Sequence, residues 1–301
     1  EGYNSAEVLD PYRKLKSDNV SAESATNDPT MVNKLRAGET KVWDLINVNN
    51  PWARKILFPE GLILPLNKDE FAPFFDKMLP TFKFPYDWAM SVDGSQLLGM
   101  AQRFGPFNFV VNTDKISRKS AEEIGWKIFT DPSMKGKFAI QESDDWNVAH
   151  IFAIAGIDPY KEHSKEELDA FAKMSKYIFA NAKFVGDIAA VNQGLVNGEI
   201  DAYISGGTYT ASLARAEGLS NIRAISPNQD AYMWVELTSV VNNPNKTPLA
   251  YDFLKYVQTP EVAHTVAFAE GTFHPVAQMG NKECFNLFTN DELDAIQYDS
   301  L

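Results

Sequence analysis

Segments with helical and strand-like spacing alternate from one end of this chain to the other, which predicts an α/β protein built from layered sheets. At 301 residues the chain is long enough for two cores rather than one. No stretch is rich enough in Gly, Ser or Pro to separate independent domains. The expectation is therefore two lobes joined by crossing strands, residues 1–107 with 240–301 forming one and 108–239 the other.

Taken in order, Val8, Leu9 and Tyr12 sit at helical spacing. Met31 and Leu35 begin a second helix that Gly38 stops. A buried strand is expected from Val42 to Val48, with Trp43 and Asp44 inside it, ending at Asn49, Asn50 and Pro51. Pro51 then starts a short helix containing Trp52, Ile56 and Leu57. Residues 72–87 read as a Pro- and Phe-rich connection, followed by a strand from Phe107 to Asn112. Ser120 with Glu123, and Ser164 with Glu167, read as capping boxes of two helices. Between them KFAIQE is a strand, and SDDWNV a strand-to-helix turn. VNQGLVNGEIDAYISGG reads as helix, Asn197-Gly198 turn and strand. Pro248 and Pro260 start two further helices behind Thr247 and Thr259, and Ala250, Phe253, Leu254 and Val257 form a half-buried stripe. Gly271 closes the second of them.

Composition narrows the function. The net charge of −12 and the lack of any basic cluster argue against a nucleic-acid partner. An acidic surface attracts cations, or serves only solubility. The single cysteine, Cys284, excludes an internal disulfide and any multi-thiol metal site, and reads as a small buried filler. No apolar run approaches the ~20 residues of a membrane span. The abrupt start at EGYNSAEVLDPYRKL reads as a mature or trimmed chain.

The most telling segment is Trp234 to Gly271. Residues two apart on a strand face the same way, so Trp234 and Glu236 present a flat apolar ring beside a carboxylate. That pairing suits an ammonium group carried on an apolar body. A core tryptophan beside a surface acid is the other reading of the same pattern.

The runs LVNGEIDAYISGGTYTASLARAEG, MWVELTSVVNN, PLAYDFLKYVQTPEVA, KLRAGETKVWDLINVNNPWARKILFPEGLILPLN and KGKFAIQESDDWNVAHIFAIAG cover most of the chain and together resemble the spermidine/putrescine-binding family of periplasmic solute-binding proteins that feed ABC importers. The resemblance implies a type II periplasmic-binding-protein fold: two α/β lobes, each a mixed sheet flanked by helices, with the ligand in a cleft between them. It implies a monomer in the periplasm that delivers a small amine, such as putrescine or spermidine, to a membrane permease, without inserting in the membrane and without a cofactor. A zwitterionic amino acid such as γ-aminobutyrate is the alternative ligand.

By the same resemblance, Trp234 and Glu236 match the family's Trp-x-Asp, the indole packing on the ligand and the acid pairing with an amine. Trp52 matches a first-lobe aromatic, with Asn49 and Asn50 orienting the ligand or only capping a helix. Tyr3 matches an aromatic after the family's first strand. Asp144 and Asp145 lie where a second-lobe carboxylate belongs, though adjacent acids there also serve as a helix cap. Trp146 and Asn147 stand near the place of another acid, and Ser205, Gly206 and Gly207 replace a tryptophan whose space Tyr209 can fill. Arg103, beside Phe104 at the expected crossing, either receives a ligand carboxylate or pairs within the protein.

An enzyme on the same fold is the third reading. Cys284 has no histidine near it in sequence and makes a poor nucleophile. His150, His163, His264 and His274 have no metal-ligand spacing; His150 reads as core and His274 as a turn or rim residue. No phosphate-cradling glycine loop is present. A binding module is the expectation.

Overall fold

The structure, a computed structural model, describes residues 3–25, 27–271 and 273–300, without the side chains of Asp144 and Glu270. Its contacts group into two compact units, Glu1–Phe104 with Trp234–Thr289 and Gly105–Met233 with Asn290–Leu301. Residues 290–301 therefore group with the second unit, not with the first as expected from the sequence. They are held there by ion pairs of Asp294 with Arg215 and of Asp299 with Arg118 and Arg223.

In the first unit, helix α1 (Ala6–Lys16) buries Val8, Leu9 and Tyr12. Helix α2 (Asp28–Arg36) starts behind Asn27, whose side chain accepts the Thr30 N–H, and ends ahead of Gly38 at φ +102°. Strand β1 (Leu45–Asn49) is shorter than expected. A 3-10 turn at Glu39–Lys41 leaves Val42 exposed and ties the Trp43 indole to Glu39, so the strand starts after them, with the Asp44 carbonyl accepting the Val241 N–H at its edge. The strand runs directly into α3 (Asn50–Trp52), continued by a π-helical turn over Ala53–Leu57. After β2 (Ile63–Leu64), helix α4 (Lys68–Phe75) occupies part of the expected connection, because Phe71 and Phe75 give it a buried face and Asn67 caps it.

Strand β3 (Met100–Asn112) carries the chain into the second unit. Helix α5 (Arg118–Ile124) is capped by Ser117, whose Oγ accepts the Ser120 N–H, so the expected Ser120–Glu123 box is displaced by one turn. Then come β4 (Phe138–Gln141), α6 (Asp144–Ile154), α7 (Lys165–Asn181) with its Ser164–Glu167 capping box, β5 (Val185–Gly186) and α8 (Ile188–Val196). Gly198, at φ +70°, turns the chain into β6 (Ala202–Gly207), α9 (Thr208–Ala216) and β7 (Ile222–Ile225). The sheet is mixed: β3 pairs antiparallel with β6 and β7, while β4 lies parallel to β5 and β6. Period-two alternation divides its core. Phe109, Phe138, Ile140 and Ile204 pack on one face, and Val110, Ala139 and Tyr203 on the other.

Strand β8 (Met233–Val241) returns the chain to the first unit and pairs antiparallel with β1 and β2. Helix α10 (Leu249–Tyr256) buries Ala250, Phe253 and Leu254, with Pro248 rather than Thr247 at its cap position. Helix α11 (Pro260–Phe268) follows Thr259, and Gly271 ends the 3-10 turn beyond it. The short α12 (Lys282–Phe285) buries Cys284, whose thiol pKa is pushed up to about 12 by burial. In the second unit, α13 (Asn290–Ala295) packs on α9 through the Arg215–Asp294 pair.

Candidate functional site

In the first unit, the antiparallel register sets Asn49 of β1 opposite Glu236 of β8. Trp234, two residues before Glu236, is only 8% exposed and meets His274 edge-to-face at 5.4 Å. Burial, with Arg103 adding, lowers the His274 pKa well below the usual imidazole range.

Glu236 is not left facing a ligand with a free charge. Arg103 of β3 donates Nε to Oε2 at 2.9 Å and Nη2 to Oε1 at 2.7 Å, with side-chain exposures of 2% and 12%. This two-pronged bond corrects the expectation that Glu236 meets a ligand amine, and for Arg103 it is the second of the two readings, an arginine paired within the protein. Neither the carboxylate nor the fork stands open, because a guanidinium buried this deeply without a counter-charge costs several kcal/mol. Phe104 is likewise a core residue, packed on Phe82 at 4.9 Å, with its N–H donated to the Pro275 carbonyl.

The sequence reading missed Asp28. It opens α2, and its Oδ2 accepts the Asn49 N–H at 3.2 Å and the Asn49 Nδ2 at 2.8 Å. Burial raises its pKa, with Glu236 adding to the rise and the Asn49 bonds opposing it. Nothing in the local sequence marks it beyond a helix-start Asn-Asp-Pro; its distance from Asn49 is set by tertiary packing. Asn49 Oδ1 is buried and accepts no hydrogen bond among the described residues. Asn50 is buried and donates Nδ2 to the Trp88 carbonyl at 3.3 Å, and Trp52 is half-buried on the same turn. Tyr3 is buried beside Glu236, Arg103 and Thr238, and its hydroxyl touches Thr238 outside hydrogen-bonding geometry. Burial raises its pKa well above the usual phenol range.

In the second unit the buried polar groups that meet the Phe107 carbonyl are neutral. His150 of α6 is fully buried, with Nε2 at 2.8 Å from the Phe107 carbonyl and Nδ1 at 2.8 Å from Ser205 Oγ. Ser205 Oγ lies 2.5 Å from Asn147 Oδ1, and Asn147 Nδ2 donates to the Gln141 carbonyl at 2.9 Å. An imidazolium would satisfy every bond in this chain. Burial wins instead and lowers the His150 pKa to about 3. The ring is therefore neutral: Nε2–H donates to Phe107, and the single Ser205 proton is left to serve two acceptors.

Ser205, fully buried at φ +64°, belongs to this chain and presents no free hydroxyl. A Cβ on Gly206 would stand 2.3 Å from the Tyr203 ring, and one on Gly207 2.3 Å from the Pro106 carbonyl, so close backbone approach replaces the tryptophan. Phe107 carries the aromatic face: Trp146 meets it edge-on at 4.7 Å and Tyr209 stacks on it at 5.4 Å. Asp145 is exposed, and the Asp144 side chain lies outside the described residues. Missed by the sequence reading were Thr208 and Gln141, both buried, whose Oγ1 and Oε1 have no partner among the described residues.

Among the described residues no group of His, Cys, Asp and Glu can hold a metal ion, and no helix is long and apolar enough to cross a membrane. Residues 9–278 match the model of the bacterial extracellular solute-binding protein family, and the chain belongs to that family. Membership makes it a binder in transport and not an enzyme.

Solved structures share its α/β fold at low identity. The spermidine/putrescine ABC transporter substrate-binding protein PotD of Streptococcus pneumoniae matches with a TM-score of 0.72 and 15% identity, over 98% of this chain and 88% of that one. The TpPotD lipoprotein of Treponema pallidum matches at 0.71 and 15%, over 98% and 93%. AgtB of A. tumefaciens, in complex with agropinic acid, matches at 0.61 and 16%, over 98% and 83%. Among curated proteins none matches the sequence.

Proposed function

We propose that this chain is the periplasmic solute-capturing subunit of an ABC import system, handing a small amine-bearing solute to a membrane permease as a monomer. Family membership supports the transport role, and one observation carries the ligand class. On the strand that carries Trp234, Glu236 pairs with Arg103 and stands opposite Asn49, which binds a second carboxylate, Asp28. Carboxylates near an indole suit an amine, and a cation against an indole gains roughly 0.5–2 kcal/mol. Putrescine and spermidine are the first ligands to test, as the PotD likeness suggests. A thermal-shift panel decides, because only a bound ligand raises the melting temperature by mass action. No shift with any amine rejects the amine reading.

A second reading, a zwitterion such as γ-aminobutyrate, is favoured by the uncharged polar groups of the second unit. The unpartnered Thr208 hydroxyl on the first residue of α9, a helix whose cap Gly207 has no side chain, suits a carboxylate. In that reading the carboxylate goes to α9 and not to Arg103, whose fork Glu236 already fills. Stronger shifts with ω-amino acids than with diamines select it.

A further inference from the structure

Within the first unit lies a cavity of about 540 Å³, and one of its walls is the outer edge of β1. That strand ends its sheet, with β8 as its ladder partner. The Val241 N–H donates to the Asp44 carbonyl, so the antiparallel register bonds residues 44, 46 and 48 to β8. Leu45, Asn47 and Asn49 turn their N–H and C=O groups the other way. The Asn49 N–H meets Asp28 on that side, in keeping with this phase. The backbone groups of Leu45 and Asn47 meet no partner among the described residues.

Another wall is the segment 18–25, which forms neither helix nor ladder from 19 to 25. It is pinned where it stands. Arg13 donates Nε and Nη2 to the Val20 carbonyl at 2.8 and 2.6 Å, and Lys34 pairs with Glu23. The slot is lined further by apolar side chains of three helices, Leu9 and Tyr12 of α1, Met31 and Leu35 of α2 and Phe253 of α10. The Tyr3 hydroxyl and Asn4 Oδ1 belong to the same lining, both buried and without a partner in bonding geometry.

A small apolar molecule would fill this volume and leave the β1 edge unpaired. An extended segment does both, since its backbone continues the ladder while its side chains meet the helices. A passing backbone N–H is also the donor that the Tyr3 and Asn4 oxygens lack. Those two residues indicate the source. They stand in the slot and lead directly into α1, so a segment joined ahead of them is held there at high effective concentration.

We infer that the outer edge of β1 is a strand-addition site, and that its occupant is an extended apolar run of the same polypeptide leading into Tyr3. A strand covered by helices is a near-continuous apolar run, so Val and Ile suit it. The inference stands apart from the choice of solute.

Hydrogen exchange at single amides tests it. In the 301-residue chain the Leu45 and Asn47 amides are expected to exchange faster than those of Ile46 and Val48, which β8 holds. A run of about six Val and Ile residues attached ahead of Glu1 should slow Leu45 and Asn47 at least tenfold. The same run with a central proline should not. If the fusion fails to fold, the run supplied as a free peptide gives the same readout. Unchanged exchange at Leu45 and Asn47 overturns the site, and equal protection by the proline run overturns strand addition. Protection in the 301-residue chain that rises with its concentration, with a dimer in ultracentrifugation, overturns the source in favour of a second copy.

Discussion

The two units bury polar groups near the ends of their strands by opposite means. The first uses full charges: Arg103 closed on Glu236, with Asp28 beside them. The second uses a neutral relay, from the Phe107 carbonyl through His150, Ser205 and Asn147 to the Gln141 carbonyl. A charge recognises charge and tolerates variation in shape, whereas a neutral relay packed under aromatic rings recognises shape.

The largest expected effect tests the charged half. Arg103→Ala leaves Glu236 buried without a partner and should destabilise the protein by about 3–5 kcal/mol in denaturant unfolding. Replacing both residues by apolar ones of similar volume should cost far less, since the penalty lies in the uncompensated charge and not in the pair itself. If the single and double variants lose the same stability, the ion pair is not what governs this region.

A steric test of the second unit comes next. Gly207→Ala sets a methyl 2.3 Å from the Pro106 carbonyl oxygen and 2.9 Å from a carbon of the Phe107 ring. The carbonyl is backbone and cannot swing away, so a loss of about 1–3 kcal/mol is expected. Because Phe107 carries Trp146 and Tyr209, near-UV circular dichroism should change as well. An unchanged spectrum and melting temperature would show that the close approach does not set that aromatic face.

The pH dependence probes both halves at once. His150 and His274 are buried with lowered pKa values, His150 to about 3, so the unfolded chain binds more protons below its ordinary histidine range. Stability is fully present above about pH 6.5 and falls as the solution is acidified toward the folded-state values. Each histidine contributes a slope approaching 1.4 kcal/mol per pH unit. Unfolding midpoints between pH 7.5 and about 5.5 avoid most carboxylate titration. In His150→Gln the slope should drop to what His274 alone supplies. A slope equal to that of the wild type means that His150 is accessible to protons in the folded state.

How much of this was legible in the sequence depends on the range of the interaction. The stripe Ala250–Phe253–Leu254, the Ser164–Glu167 box and the Gly198 turn are set by neighbours within a few residues, and each was read correctly. The same-face placement of Trp234 and Glu236 follows from strand alternation alone. Glu236 and Arg103 stand 133 residues apart, so no local pattern tells whether the acid is free or paired. Asp28 meets Asn49 across 21 residues and a change of element, and Ser205 meets His150 across 55. Local patterns also misplaced two starts. Val42 and Trp43 are β-compatible by composition but are held off the sheet by the Glu39–Lys41 turn, and Ser117 outcompetes Ser120 as the cap of α5.

The smallest expected effect concerns Ser205 and separates two contributions of one residue. Its hydroxyl bridges His150 and Asn147, while its backbone sits at φ +64°, a conformation that costs an L-residue roughly 1–2 kcal/mol relative to glycine. Ser205→Ala and Ser205→Gly both remove the hydroxyl and leave His150 Nδ1 and Asn147 Oδ1 without it. Only glycine also releases the backbone. The glycine variant should therefore be the more stable of the two by about 1 kcal/mol, with part of that gain offset by the greater freedom of its unfolded chain. Equal stabilities would place the whole role of Ser205 in its hydrogen bonds. A more stable alanine variant would mean that the positive φ is imposed by the surrounding sheet at no local cost, and that the neutral relay alone selects serine at this position.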